Sequence, residues 1–269
     1  MINIIKSIKV NNEICLVTGS TGHLGKEFAK LLAEMGYSLI LTDKNQKKLN
    51  ILKKEILKKF NVKVYCKITD LSSERSRNIL IKFIKTKTKK LNLLINNAGL
   101  TGIEEKFNYE KKKSLKTQSV KNFNDYLEVN LSAIFHLTRD LSDLLIKSKN
   151  GKVINIGSIY GVVAPKWEIY SKLKMNNRAG YSSSKSGLLQ LTKWFATCLA
   201  PKVRVNMISP GGILRGQPKT FIKKYNSNTP LGRMANLDDF NGTLIYLASD
   251  LSKYVTGQNL MVDGGWTIT

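Results

Sequence analysis

Histidine is nearly missing from this chain: His23 and His136 are the only two in 269 residues, too few and too separated for a metal cluster. Cysteine is scarce as well. Cys15, Cys66 and Cys198 are an odd number, far apart, with no Cys-x-x-Cys spacing; this argues against a disulfide framework or a zinc site and reads them as packing residues. No Pro/Ser-rich stretch marks a linker and no internal repeat is visible, so residues 1–269 read as a single domain with a sizeable apolar core. The opening MINIIKSIKVNNE lacks the apolar stretch and small-residue cleavage site of an export signal, and no later apolar run approaches the length of a bilayer span. The expectation is a soluble, cytoplasmic protein that does not engage a membrane. Acidic residues are the last deficit, 19 against 44 Lys and Arg, for a formal charge of +25. The lysines are spread through KNQKKLN, KKEILKKF, IKTKTKK, YEKKKSLK and FIKKY among many Asn and Ile. That spread, without a recognised binding motif, reads as a compositional bias, and no nucleic-acid partner is expected. A generally positive field favours a phosphorylated or nucleotide-linked substrate.

Short apolar runs alternate with segments of helical periodicity, the pattern of a parallel sheet covered by helices on both faces. EICLVTG, YSLILTD, VKVYCKITD, LNLLINNAG, GKVINIGS, VRVNMIS and QNLMVDGG read as seven strands. Between them, HLGKEFAKLLAEMG carries Leu24, Phe28, Leu31, Leu32 and Met35 on one side of a helix. The lysine-rich 45–60 keeps Leu49, Leu52, Ile56 and Phe60 near a helical period, so its lysines form a solvated face. Further helices are expected over 73–89, through FNDYLEVNLSAIFHLTRDLSDLL, through YSSSKSGLLQLTKWFATCLA and through LDDFNGTLIYLASD. The predicted fold class is α/β, a Rossmann-type doubly wound sheet of about seven strands, with its ligand outside the carboxyl ends of the strands.

TGSTGHLG, residues 18–25, sits where the first strand turns into the first helix. Glycines there let the backbone approach a pyrophosphate, and the helix N-terminus supplies amide donors. Asp43 ends the second strand, 24 residues after Gly19, where an acidic group accepts hydrogen bonds from an adenosine ribose. A carboxylate there repels a 2′-phosphate and favours NAD, while the adjacent Lys44 keeps NADP open. The alternative for Asp43 is a helix cap before NQKKLN.

Tyr-x-x-x-Lys, a pattern able to set a phenol and an ammonium one turn apart, occurs at Tyr109–Lys113, Tyr170–Lys174 and Tyr181–Lys185. The spacing places both side chains on one face only inside a stable helix. Tyr181 opens a run through Leu188, Leu189, Leu191, Phe195 and Leu199, whereas Tyr170 lies between Pro165 and the breakers Asn176, Asn177 and Gly180. Tyr181–Lys185 is therefore the pair expected to share one helical face, and Tyr170, outside a helix, is left as a candidate substrate contact.

TGSTGHLG, ITDL, INNAG, VNLSAIFHLT, VINIGS, YSSSKSG, VRVNMISPGG, LIYLASDLSKYVTGQ and VDGG, taken in order, resemble the short-chain dehydrogenase/reductase family from Ile14 to Trp266. Carried over by position, the resemblance implies a catalytic set of Asn130, Ser158, Tyr181 and Lys185. For the cofactor it implies Gly19, Thr21, Gly22, His23, Leu24 and Gly25 at the pyrophosphate and Asp70 and Leu71 near adenine. Asn97, Ala98 and Gly99 fall beside the ribose, and Pro210, Gly211 and Ile213 near the nicotinamide. In such a set Lys185 lowers the tyrosine pKa and holds the nicotinamide ribose, Ser158 bonds the reacting oxygen, and Asn130 supports a proton-passing water. Two positions depart from the family pattern. The glycines at 19, 22 and 25 with His23 follow a longer branch's spacing, and Arg215 stands where many relatives have a carboxamide-binding threonine.

Measured from Ser158, Tyr170 lies at the family's usual distance, and choosing Tyr181 makes residues 160–180 an insertion beside the reacting atoms. SIYGVVAPKWEIY, SPGGILRGQP and VDGGWTI are similar to the subgroup of flagellin modification protein A-like oxidoreductases, associated with sialic-acid-like surface sugars. That resemblance implies a sugar alcohol or ketone carrying phosphate or nucleotide, with Lys166, Lys172, Arg178 and Arg215 as anion contacts and 212–235 as a substrate loop. Residues 1–12 form an N-terminal extension. It also implies a homodimer or homotetramer paired through the helices around Asn130 and Tyr181. The rival readings are a 3-oxoacyl-carrier-protein reductase and a cofactor-sensing binding protein without turnover.

Overall fold

Leu16 and Ile40 point to one side of a sheet while Cys15, Val17, Leu39 and Leu41 point to the other, and all six are fully buried. A strand covered on both faces has no polar side to show, which is why these segments read as unbroken apolar runs. In the computed structural model, residues 7–101, 118–171, 173 and 177–269 are described. Along the chain run β1 (Ile14–Thr18), α1 (His23–Glu34), β2 (Ser38–Asp43), α2 (Gln46–Lys59), β3 (Val64–Ile68), α3 (Glu74–Lys87) and β4 (Leu93–Asn96). Then come α4 (Val120–Leu127), α5 (Ala133–Lys147), β5 (Gly151–Ile156), α6 (Ala179–Cys198), β6 (Val203–Pro210), α7 (Lys219–Asn226), α8 (Asn241–Ala248) and β7 (Asn259–Val262).

The seven strands are all parallel, in the order β3-β2-β1-β4-β5-β6-β7. Phe28 and Leu32 of α1, Leu49 and Ile56 of α2 and Leu244 of α8 cover one face. Leu80 and Ile84 of α3, Leu137 and Leu141 of α5 and Phe195 of α6 cover the other. Each such side chain contributes roughly 1.5–3 kcal/mol by leaving water, so the two layers of helices hold the sheet between them. The strand order reverses between β1 and β4, and a crevice opens there at the carboxyl ends.

Four expectations change in detail. The long helix through 123–145 is interrupted by a π-helical turn at Glu128–Ser132. The 212–235 segment is more than a loop, because Phe221 and Tyr225 bury one side of α7. Residues 160–180 contain a short 3₁₀ turn, Trp167–Tyr170. Cys15 is buried and Cys66 partly so, but Cys198 is exposed and packs little. The Tyr109–Lys113 pair, Lys172 and Lys174 fall outside the described residues.

Candidate active site

The crevice is built by close backbone approach. Gly19 has φ +60°, and a Cβ on it would lie 2.7 Å from the Ala98 Cα. A Cβ on Gly25 would meet the Gly19 carbonyl oxygen at 2.2 Å and Asn97 Nδ2 at 2.6 Å, so α1 seats against the β1 turn only without a side chain there. Asn97 Nδ2 donates to the Thr18 and Gly19 carbonyls, both at 3.0 Å. The Thr18 hydroxyl accepts from the Asn97 and Ala98 amides. These bonds fasten the β1 turn to the end of β4.

Asp43 faces this turn. One carboxylate oxygen accepts from the Thr21 amide at 2.9 Å and the other from the Lys44 amide at 2.7 Å. Capping of α2 falls instead to Asn45, whose side chain accepts from the Lys48 amide. A carboxylate offers about four acceptor positions, so Asp43 keeps capacity for sugar hydroxyls. Lys44 Nζ pairs with Asp70 at 3.0 Å. Burial raises the Asp70 carboxyl, and hydrogen bonds from Ser72 together with Lys44 outweigh it, leaving it below the usual carboxylate range. Leu71 lines the cavity, whereas Asp70, expected beside adenine, does not.

At the other end, α6 is locked from two sides. A Cβ on Gly161 would lie 2.9 Å from the Lys185 carbonyl, and one on Gly180 the same distance from the Phe123 carbonyl oxygen. These contacts bring Ser158, just past β5, and Tyr181, on the first turn of α6, to the wall of one cavity. The Tyr160 amide donates to Ser158 Oγ at 3.2 Å, fixing the serine rotamer. Burial pushes the Tyr181 phenol up, only partly offset by the neighbouring Ser158 hydroxyl and the Arg215 charge. Lys185 is buried, and its ammonium donates to the Ile156 carbonyl at 2.6 Å and lies 5.9 Å from the Tyr181 ring centroid. Burial lowers it to about 8.

Asn130 lies in the π turn, fully buried. Its side chain accepts from the Leu100 amide at 2.8 Å and donates to the Leu100 carbonyl and to Ser184 Oγ, both at 3.1 Å. It sits one layer behind the cavity wall, where a Cβ on Gly99 would lie 3.1 Å from its oxygen and 3.6 Å from Lys185 Nζ.

One cavity of about 560 Å³ connects the two ends. Gly19, Thr21, Gly22, His23, Leu24, Gly25, Asp43, Leu71 and Asn97–Gly99 line one part, and Ser158, Tyr181, Lys185, Pro210, Gly211 and Ile213 the other. Tyr170 and Arg215 line it too, while Lys166 does not: its ammonium reaches Thr269 at 2.9 Å and lies 5.0 Å over the Trp266 ring. Sequence reasoning missed Tyr160, Asn177, Gln217, Phe221, Tyr225 and Met234 on the same wall. Tyr170 shares a 2.6 Å hydrogen bond with the Tyr160 hydroxyl, and burial pushes its phenol up to about 12. Its ring joins Phe221, Tyr225 and Trp266 in one aromatic cluster, with Tyr225 stacked on Trp266 at 4.2 Å.

Residues 20–267 match the family model described as "Enoyl-(Acyl carrier protein) reductase". The chain belongs to the short-chain dehydrogenase/reductase family. It is 32% identical to the post-translational flagellin modification protein A of Campylobacter coli, over 96% of this chain and 99% of that protein. It is 30% identical to the 3-oxoacyl-[acyl-carrier-protein] reductase FabG of Aquifex aeolicus, covering 96% of this chain and 98% of the relative. A short-chain dehydrogenase from Leptospira borgpetersenii, solved with bound NAD+, superposes with a TM-score of 0.81 at 30% identity, covering 99% of this chain and 96% of that one. As a member of this family the chain is an NAD(P)-dependent oxidoreductase. Its glycine turn, with no room for a Cβ at 19 or 25 and an acidic group beyond it, fits a nicotinamide dinucleotide.

Proposed function

We propose that the chain uses NAD to interconvert a secondary alcohol and a ketone on an anionic sugar derivative in surface-glycan biosynthesis. The observation carrying this reading is a single cavity lined by Asp43 in one part and by Ser158, Tyr181 and Lys185 together in the other. Asp43 presents a carboxylate where a 2′-phosphate would lie, and Lys44 is already engaged with Asp70. Both features favour NAD.

A bound nicotinamide cofactor supplies the hydride acceptor for oxidation or the hydride donor for reduction. Tyr181 removes the substrate hydroxyl proton as the carbon gives up hydride, and returns a proton to the carbonyl oxygen in the reverse direction. Ser158 hydrogen-bonds that oxygen and holds it beside the phenol. Lys185 holds the nicotinamide ribose and adds positive charge behind Tyr181, while Asn130 pins the Leu100 backbone, past β4, against α6 and supports a water leading protons to Lys185. Self-association through the outer faces of α5 and α6 completes the reading.

The second reading is an acyl-carrier-protein reductase, favoured by the 30% identity to such an enzyme. Cofactor turnover on sugar phosphates, nucleotide sugars and an acetoacetyl-carrier protein separates them: preference for the carrier-bound substrate sinks the sugar reading. Asp43→Ala is expected to weaken NAD relative to NADP by about tenfold or more, the loss of a charged hydrogen bond. An unchanged preference in the two titrations rejects the role given to Asp43.

A further inference from the structure

One of the two histidines in the chain is buried behind the cavity. His136 of α5 is 6% exposed, and its Nδ1 accepts from Arg77 Nε at 3.0 Å. The other ring nitrogen, Nε2, faces Asp140 at 3.2 Å. The ring proton therefore sits on Nε2, and the two neighbours hold the imidazole in one tautomer. Arg77 comes from α3 and is 5% exposed. Its Nη1 donates to the Leu71 carbonyl at 2.6 Å and to the Glu128 carboxylate. Burying a guanidinium is costly unless it meets charge and acceptors; a carbonyl, a carboxylate and a ring nitrogen supply them here.

The two partners of Nη1 belong to different parts of the site. Leu71 lines the cavity in the part that holds Asp43, and its carbonyl is the one Arg77 binds. Glu128 opens the π turn Glu128–Ser132, with Asn130 two residues further on. Asn130 Oδ1 in turn accepts from the Leu100 amide at 2.8 Å, and Gly99 and Leu100 line the cavity. A π turn is a rare break in the hydrogen-bond ladder of a helix, and Arg77 anchors this one from outside. Arg77 does not itself line the cavity. A lysine would carry the same charge without the planar fork that serves the Nε and Nη1 partners from one fixed geometry.

We propose that Arg77 is a positioning residue that sets two walls of the cavity together: the Leu71 wall against which the adenosine half of the nucleotide lies, and the π turn that carries Asn130 to the Leu100 backbone. His136, itself oriented by Asp140, fixes the plane of the guanidinium. This deepens the cofactor reading above and rests on its placement of the adenosine half beside Asp43 and Leu71. Two separable arms follow from the geometry. The Leu71 arm acts on affinity for the nucleotide, and the Glu128 arm acts on the backbone that Asn130 holds.

The test uses the full-length protein without added cofactor and has two readouts. AMP, which carries the adenosine half alone, is titrated calorimetrically, and amide hydrogen exchange is followed at Leu100 with Leu94 and Ile95 of β4 as internal references. Arg77→Met is expected to weaken AMP binding by roughly tenfold or more, the scale of a lost charged hydrogen bond, and to speed Leu100 exchange by a similar factor. Glu128→Met, at a side chain 39% exposed, cuts one arm only: Leu100 exchange is expected to rise by about tenfold with AMP affinity unchanged. Arg77→Lys keeps the charge without the fork and is expected to match Arg77→Met on both readouts. A general loosening of the fold speeds the β4 amides together with Leu100, which the positioning role does not. Wild-type behaviour of Arg77→Lys, unchanged Leu100 exchange or weakened AMP binding in Glu128→Met, or β4 amides that speed up with Leu100, each overturns the proposal. Arg77→Lys and Glu128→Met carry the test if the buried Arg77→Met fails to fold. A wild type that does not bind AMP rejects the placement of the nucleotide and the Leu71 arm with it; the Glu128 arm is then decided by the exchange, which needs no ligand.

Discussion

A phenol and an ammonium share one corner of the cavity, with Lys185 Nζ 5.9 Å from the Tyr181 ring centroid. Tyr181 is raised by burial and Lys185 is lowered by it to about 8, so the corner resists charge of either sign. Tyr181→Phe keeps the ring and its packing and deletes the proposed proton carrier. It is expected to lower turnover by at least a thousandfold, the scale of general acid–base catalysis, with NAD binding unchanged by fluorescence titration. An active variant rejects the role of Tyr181. Lys185 makes a separate statement about stability. Below pH 8 the ammonium is protonated in both folded and unfolded chains, and the fold bears the full burial cost, about 3 kcal/mol for a shift from 10.5 to about 8. Between those values the unfolded chain binds more protons, so stability rises with pH. Relative to wild type, Lys185→Met should therefore lose up to about 3 kcal/mol as pH rises from 7 to 10.5, read from urea midpoints without added cofactor. A pH-independent difference would show that Lys185 does not titrate in this window.

Among elements, the closest backbone approach at a glycine is where α1 meets the turn after β1. Gly25→Ala puts a Cβ at 2.2 Å from the Gly19 carbonyl oxygen and 2.6 Å from Asn97 Nδ2. The carbonyl is backbone, so the turn itself must move. The expected result is at least a tenfold loss of NAD affinity with a melting temperature lowered by several degrees; wild-type affinity would show that the turn has slack. This turn was legible because glycine spacing between an apolar run and a helical period carries its own geometry. The seven strands were legible for the related reason that two-sided burial leaves an unbroken apolar stretch. Elements anchored by few side chains were not. Helix α7 has only Phe221 and Tyr225 buried, follows Pro218, and sits among Gly and Gln, so no period stands out. The π turn around Asn130 adds one residue to a helix without disturbing the apolar pattern on either side. The Tyr225–Trp266 stack and the Tyr170–Phe221 contact join segments far apart in the chain, and pairing of that kind leaves no local trace. The same holds for buried Arg77, which donates to His136, Glu128 and the Leu71 carbonyl and so ties α3 to the π turn.

At the level of the whole molecule, charge and apolar surface oppose each other. Trp194 is 51% exposed and Phe135 38%, on the outer faces of α6 and α5, where both rings pack on Phe195. Ile146, on the same helix as Phe135, is also exposed. Large apolar groups gathered on a surface favour association, and here they lie on the helices that carry Tyr181 and follow Asn130. Two copies that each bear a formal charge of +25 repel one another. Added salt shortens the Debye length from about 30 Å at 0.01 M to about 8 Å at 0.15 M, while burial of Trp194 and Phe135 is little affected. Association is therefore expected to strengthen with salt across that range, the reverse of an interface held by ion pairs. Trp194→Glu with Phe135→Glu should abolish association despite lowering the net charge, because each buries a carboxylate in an apolar contact. Light scattering of both proteins at low and moderate salt decides the matter. A wild type that stays monomeric throughout, or a double variant that still associates, would remove these two helices from the interface.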